Sequence, residues 1–199
     1  MTEKDVMCPP SPAMSLFEFE PSSAIISDCQ QYRYRLERSV CLGSRRTAAV
    51  IMVNPSTADA YTNDATIRKV IGFADRNEIG RVIVGNKFAF RATDIRDLRS
   101  AVDPVGPDND RHLEQIMRDA DLHIVAWGPL AKLPPHLRSR WRDVVDIADR
   151  VGCILQCLGT ARDGQPLHPL MQPYGRKLTV WRAPPSPLIN RTREESRHE

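Results

Sequence analysis

The residues best equipped for chemistry stand directly after apolar runs. The run Ala48-Ala49-Val50-Ile51-Met52-Val53 stops at Asn54-Pro55-Ser56-Thr57-Ala58-Asp59, with Asn63-Asp64 close behind. A second run, Arg81-Val82-Ile83-Val84-Gly85, leads into Asn86-Lys87-Phe88-Ala89-Phe90-Arg91. A third ends at Trp127-Gly128-Pro129, and a fourth, Cys153–Leu158, leads through Gly159 to His168-Pro169-Leu170. An amide such as Asn54 or Asn86 offers donor and acceptor together, which suits it to hold a water or read the edge of a nucleobase. An aromatic ring at Phe88 can stack on such a base. A histidine in a proline-fixed loop can donate a hydrogen bond to developing negative charge. Plainer roles exist for the same residues. Asn54-Pro55 can be a turn, Asp64 a helix cap, Phe88, Phe90 and Trp127 core, and Arg91 solvated.

These segments need a scaffold, and the periodicity supplies one. Four continuous apolar runs of strand length read as strands covered on both faces. Between the first two, Asn63 and Asp64 open a helix carrying Ile67, Val70, Ile71 and Ala74 on one side and ending near Asn77. A short helix is expected over residues 95–102. Pro107 fits the first turn of another, which carries Leu113, Ile116, Met117 and Ala120. A further helix is expected over 136–150, and a short helix or edge strand over 178–181. Upstream, Tyr32, Tyr34 and Leu36 alternate with Arg33, Arg35 and Glu37 as in a half-buried strand, with Ser44-Arg45-Arg46 as a hairpin tip. Strand and helix in alternation predict an α/β protein, a three-layer α/β/α sandwich around a central, mostly parallel four-stranded sheet with an N-terminal strand or hairpin. Ligands of such sheets gather at the carboxyl ends of the strands. Residues 1–30 read as an irregular lead-in, 31–183 as a single domain and 184–199 as a frayed polar tail.

Composition narrows the classes. The 199 residues are 41% hydrophobic and 27% charged, ordinary for one globular domain that needs no staple. A net charge of +3 permits a polyanionic partner without demanding one. Cys153 and Cys157 lack a second pair or nearby histidines, which is poor zinc spacing, so the cysteines read as free thiols of a reducing cytoplasm. No stretch has membrane-spanning length, and no secretory signal pattern opens the chain. Glycine-rich phosphate loop, Gly-x-Ser-x-Gly elbow and metal-ligand pattern are all missing, which disfavours standard phosphoryl transfer, serine hydrolysis and zinc hydrolysis. No cofactor or metal is expected.

Six segments in order (Val53–Asp59, Asn63–Arg68, Gly85–Thr93, Gly106–Asp110, Ala126–Gly128 and Gly164–Leu170) resemble the bacterial family called domain of unknown function 1643, over about residues 32–182. More distantly, the chain resembles the uracil-DNA glycosylase superfamily. The shared order is a strand ending in Asn-Pro, a strand ending in a base-reading Asn, a strand ending near Trp-Gly and a late His-Pro loop. That resemblance implies a small α/β/α sandwich and hydrolysis of a base–sugar bond. Asn54 then matches the residue that orients the attacking water, Asn86 the residue that reads the base and His168 the residue that stabilises the departing base anion. Phe88 is the stacking ring, and Pro55, Ser56, Thr57, Arg91, Pro169 and Leu170 line the substrate. The loop after His168-Pro169 has no phosphate-clamping serine. Asn54 is not a strong base, so Asp59 or Asp64 has to assist. The expected partner is a nucleobase-containing ligand, with DNA carrying a modified or damaged base foremost. A free nucleoside or nucleotide substrate, or a non-catalytic nucleic-acid or nucleotide-binding module, stands as the alternative.

Overall fold

The computed structural model describes residues 22–41 and 43–185. The expectations for residues 1–21 and 186–199 fall outside that range. Seven strands form one mixed sheet in the order β1-β2-β4-β3-β5-β6-β7. They are β1 (Ser23–Ile26), β2 (Arg33–Ser39), β3 (Thr47–Met52), β4 (Arg81–Asn86), β5 (Leu122–Val125), β6 (Leu155–Cys157) and β7 (Thr179–Val180). The four apolar runs are β3 to β6, and their pairings with one another are parallel. β1, β2 and β7 are antiparallel additions. Three α-helices cross between parallel strands: α1 (Ala65–Arg76), α2 (Asn109–Arg118) and α3 (Trp141–Val151).

Alternation along β3 explains the layering. Ala48, Val50 and Met52 join Ile67, Val70 and Ala74 of α1 in one buried cluster. Ala49 and Ile51 face the other way, into a cluster with Leu113 and Ile116 of α2 and Val144 and Ile147 of α3. A strand buried on both sides can carry no polar position, which is why the run is continuous. The chain leaves β3 across the α1 face towards β4, and leaves β5 across the opposite face towards β6. Because β3 and β5 are neighbours, their carboxyl ends diverge into a crevice, the usual ligand position of such sheets.

Six expectations are corrected. Residues 23–26 are a strand, β1, not part of an irregular lead-in. Residues 44–46 are not a hairpin tip, because β2 pairs with β4 and not with β3. β2 is not half-buried: Arg33, Arg35, Glu37 and Arg38 are all buried. Its alternation is broken by a bulge, since Ile25 pairs with Arg35 and Ile26 with Arg33, leaving Tyr34 unpaired. Tyr34 therefore stacks on His112 of α2, while Leu36 joins the α1 cluster on the other face. The helix expected from Pro107 starts at Asn109, and the one expected over 136–150 is a 3-10 segment, Pro135–Arg140, followed by α3. The helix expected over 95–102 is a 3-10 turn, Ile95–Arg99. Of the two options for residues 178–181, the edge strand is the one formed.

No helix of the described residues is long and apolar enough to cross a membrane. Asp64 caps α1, its Oδ1 accepting from the Ile67 amide at 2.8 Å. Replacing it by alanine should lower the unfolding free energy by about 1 kcal/mol, with serine retaining most of it, as read by urea denaturation. A larger loss without the cap's rescue by serine would show that Asp64 serves something beyond the helix end.

Candidate active site at the carboxyl ends of the parallel strands

The loop after β3 is tied to the segment after β4. Asn54 Nδ2 donates to the Ala92 carbonyl (2.7 Å) and the Pro55 carbonyl (3.0 Å), and the Ala92 amide donates back to Pro55 (3.0 Å). That anchoring fixes the amide's orientation. Oδ1 has no hydrogen-bond donor among the described residues, and the side chain is half-buried. It remains an acceptor able to hold a water.

From beneath, two buried arginines of β2 hold the same loop. Arg33 donates to the Ala58 carbonyl (2.6 Å), and Arg38 donates to the carbonyls of Asp59 and Thr62 and, through Nε, to Asn63 Oδ1 (2.7 Å). Asp59 closes the loop tip, accepting at Oδ1 from the amides of Tyr61 (2.9 Å) and Thr62 (2.8 Å). Those two bonds hold its carboxyl below the usual carboxylate range. Both carboxylates expected to assist as a base thus already accept from backbone amides. Asp59 is stabilised as an anion inside a turn, and Asp64 is spent on a helix cap.

Asn86 and Phe88, expected to read a base and to stack on it, are both buried. Asn86 is 1% exposed, its Oδ1 accepting from Arg33 (3.3 Å), and its Nδ2 has no hydrogen-bond partner. Phe88 is fully buried among Ala92, Leu98, Leu133 and Leu137. In this conformation neither side chain reaches the surface, and Phe88 is covered by residues from 92–98 and 133–137. Arg91 is half-buried and donates to the Gln30 carbonyl (3.2 Å). Pro55 is buried, Ser56 half-buried and Thr57 exposed.

His168 lies beside the end of β5. Gly128 turns there with φ of 79°, a conformation glycine adopts without strain, and a Cβ added to it would lie 3.4 Å from His168 Cβ. The Gly128 amide donates to the Pro166 carbonyl (2.9 Å), joining the two segments. The Leu170 amide points at His168 Nδ1 (3.4 Å), which places the imidazole proton on Nε2. Burial, with Lys132 adding to it and Asp64 opposing, holds His168 below the usual histidine range. Pro169 is buried and Leu170 exposed. The turn that they begin packs against α1. Asn54 thus follows β3, and His168 packs against the turn that follows β5, the neighbour of β3 in the sheet.

Two further buried polar residues were given no role by the sequence. Lys87 is fully buried with no hydrogen-bond partner for Nζ, which sits 5.1 Å from the Trp127 ring centroid. Gln165 is likewise fully buried. It accepts from Trp127 Nε1 (2.8 Å) and leaves Nε2 without a partner. The only sequence signal for Lys87 was a lone cation inside an otherwise apolar stretch. No cluster of three metal-ligating side chains occurs among the described residues.

Fold and site together define an α/β protein with polar loops at the carboxyl ends of its parallel strands. Residues 33–170 match the family described as "Protein of unknown function (DUF1643)", and the chain belongs to that family. The match runs from the first residue of β2 to the His168 loop, so it contains every segment of the crevice. No curated protein and no solved structure matches the chain.

Burial, reinforced by Arg140 and opposed by Asp163, pushes the Lys87 amine down to about 7 from 10.5. Between those values the unfolded chain binds more protons than the folded one, so stability rises with pH across that window. Below about pH 7 the folded state carries the whole penalty, on the order of 4–5 kcal/mol. Lys87→Met should therefore raise the melting temperature most below about pH 7, with the gain fading towards pH 10. A gain independent of pH would show that the amine is not the cause.

Proposed function

We propose that the chain hydrolyses a base–sugar bond, with a modified or damaged base in DNA as the substrate. The observation that carries this reading is His168, a neutral imidazole fixed beside Gly128 with Nε2–H left to donate. A base leaves as an anion, and a donor already aimed at it lowers the barrier by about 3 kcal/mol. Asn54 supports the same chemistry. Its amide nitrogen is anchored, and its free Oδ1 can orient a water towards the sugar carbon. The likeness to the uracil-DNA glycosylase superfamily agrees with both roles, and so do four parallel strands with helices on either face. A duplex substrate has to swing its base out of the stack to reach the crevice. Recognition by Asn86 and stacking by Phe88 then require the residues that bury them to move, so both residues act, in this reading, only in the liganded conformation.

One observation favours a second reading, a nucleobase-binding protein without turnover. Asp59 and Asp64 are both committed to backbone amides, so no strong base stands beside Asn54.

Base release from oligonucleotides with varied bases, followed by alkaline strand scission, tests the proposal, with free nucleosides run alongside. Release is expected from at least one oligonucleotide, with a fall of about a hundredfold or more in His168→Ala while binding is retained. Release only from free nucleosides would move the substrate to the nucleoside class. Binding without release from any substrate would establish the second reading.

A further inference from the structure

A second polar feature lies beside the crevice, on the side away from His168. The segments around Gln30, Ser56 and Arg91 enclose an open groove of about 520 Å³, lined by Gln30, Gln31, Ser56, Thr57, Arg91 and Thr93 together with Phe90 and Ala92. No lining residue is acidic. Among the described residues, the hydroxyls of Ser56, Thr57 and Thr93 make no hydrogen bond, and Arg91 belongs to no ion pair. Its single bond, to the Gln30 carbonyl, leaves most of its five donors available. Behind the groove stands a second guanidinium. Arg33 is 2% exposed, it too has no carboxylate partner, and its Nε is unpartnered. Arg33 and Arg91 are close enough for each to oppose the other's charge, with Asp64 and Asp59 opposing them in turn. The nearest acid along the chain, Asp94, is held by Arg96 (2.5 Å). Gln30 adopts a φ of 59°, uncommon outside glycine, and this conformation turns its carbonyl onto Arg91.

We propose that this groove is a phosphate-binding subsite, with Arg91 as the charged clamp and Ser56, Thr57 and Thr93 as hydroxyl donors. Three hydroxyls around a guanidinium match the several acceptor oxygens of a phosphate, which prefers charge-assisted bonds. The open mouth lets the anion keep part of its hydration, so burial does not work against binding. Buried Arg33 supplies positive potential without contacting the ligand. Because the Asn54 loop and the Ala92 segment are bonded to one another, a phosphate held here fixes the distance from anion to crevice. The subsite does not depend on the base–sugar reading. A phosphate monoester and a strand phosphodiester both offer the required chemistry.

Calorimetric titration of the full chain with inorganic phosphate, a nucleoside 5′-monophosphate, its nucleoside and a short single-stranded oligonucleotide tests the proposal. Saturable binding of phosphate-bearing probes is expected, weakening steeply with added salt. Arg91→Gln should weaken it at least about tenfold, and Thr93→Val several-fold; Arg91→Lys should recover only part. Tighter binding of the monophosphate or of the oligonucleotide supports the subsite equally and names the source of the phosphate. Equal affinity for nucleoside and monophosphate, together with no binding of inorganic phosphate, would overturn it. So would binding unchanged in both Arg91→Gln and Thr93→Val. Phosphate binding without base release would reject the hydrolase and leave the subsite standing.

Discussion

Two buried guanidiniums on an antiparallel strand need acceptors, and the carbonyls of the loop after β3 supply them. A guanidinium removed from water without hydrogen bonds is strongly unfavourable. Arg33 and Arg38 therefore hold Ala58, Asp59 and Thr62 in place as firmly as those carbonyls hold them. The bulge at Tyr34 makes this possible. By inserting one residue it puts Arg33 on the same face as Leu36 and Arg38, towards α1. Without that insertion Arg33 would point at α2 and the loop would lose one of its two supports. The anchored Asn54 amide, the Asp59 turn and the Asp64 cap all sit on the segment held in this way.

The opposite rim follows a different logic. Arg35 and Glu37, displaced to the α2 face, pair with each other, with Asp119 and with Arg81. Those charges are matched. The polar groups near the crevice are not: Arg33 Nε, Asn86 Nδ2, Lys87 Nζ and Gln165 Nε2 are buried nitrogens without hydrogen-bond partners. Each such neutral group costs about 1–3 kcal/mol, and a charged one more. Their concentration at the carboxyl ends of β4 and β5, and not at the other end of the sheet, fits a region shaped for something other than stability.

Much of the scaffold was legible. β3 to β6 had to be continuous apolar runs because both faces are covered. α1 showed its cap and its buried stripe, because Asp64 and the residues Ile67, Val70 and Ala74 interact over a few positions. β2 was misread because its charges find partners far along the chain: Ala58 for Arg33, Asp119 for Arg35. A charge that alternates with apolar residues reads as solvent-facing unless those partners are known. The site was legible in position more than in detail. Asn54 and His168 stay partly exposed, yet Asn86 and Phe88, equally suggestive by type, are buried. The groove around Arg91 was hidden as well, since its walls come from three separate segments.

The amino-acid order alone determined which stretches become strands, where each stops and which polar residues follow, because hydrophobic periodicity and capping act over a few neighbouring positions. Only the tertiary structure decided which of those polar residues meet solvent. Exposure depends on what packs above a side chain, and here that covering comes from residues tens of positions away, brought back by crossovers that local pattern does not encode.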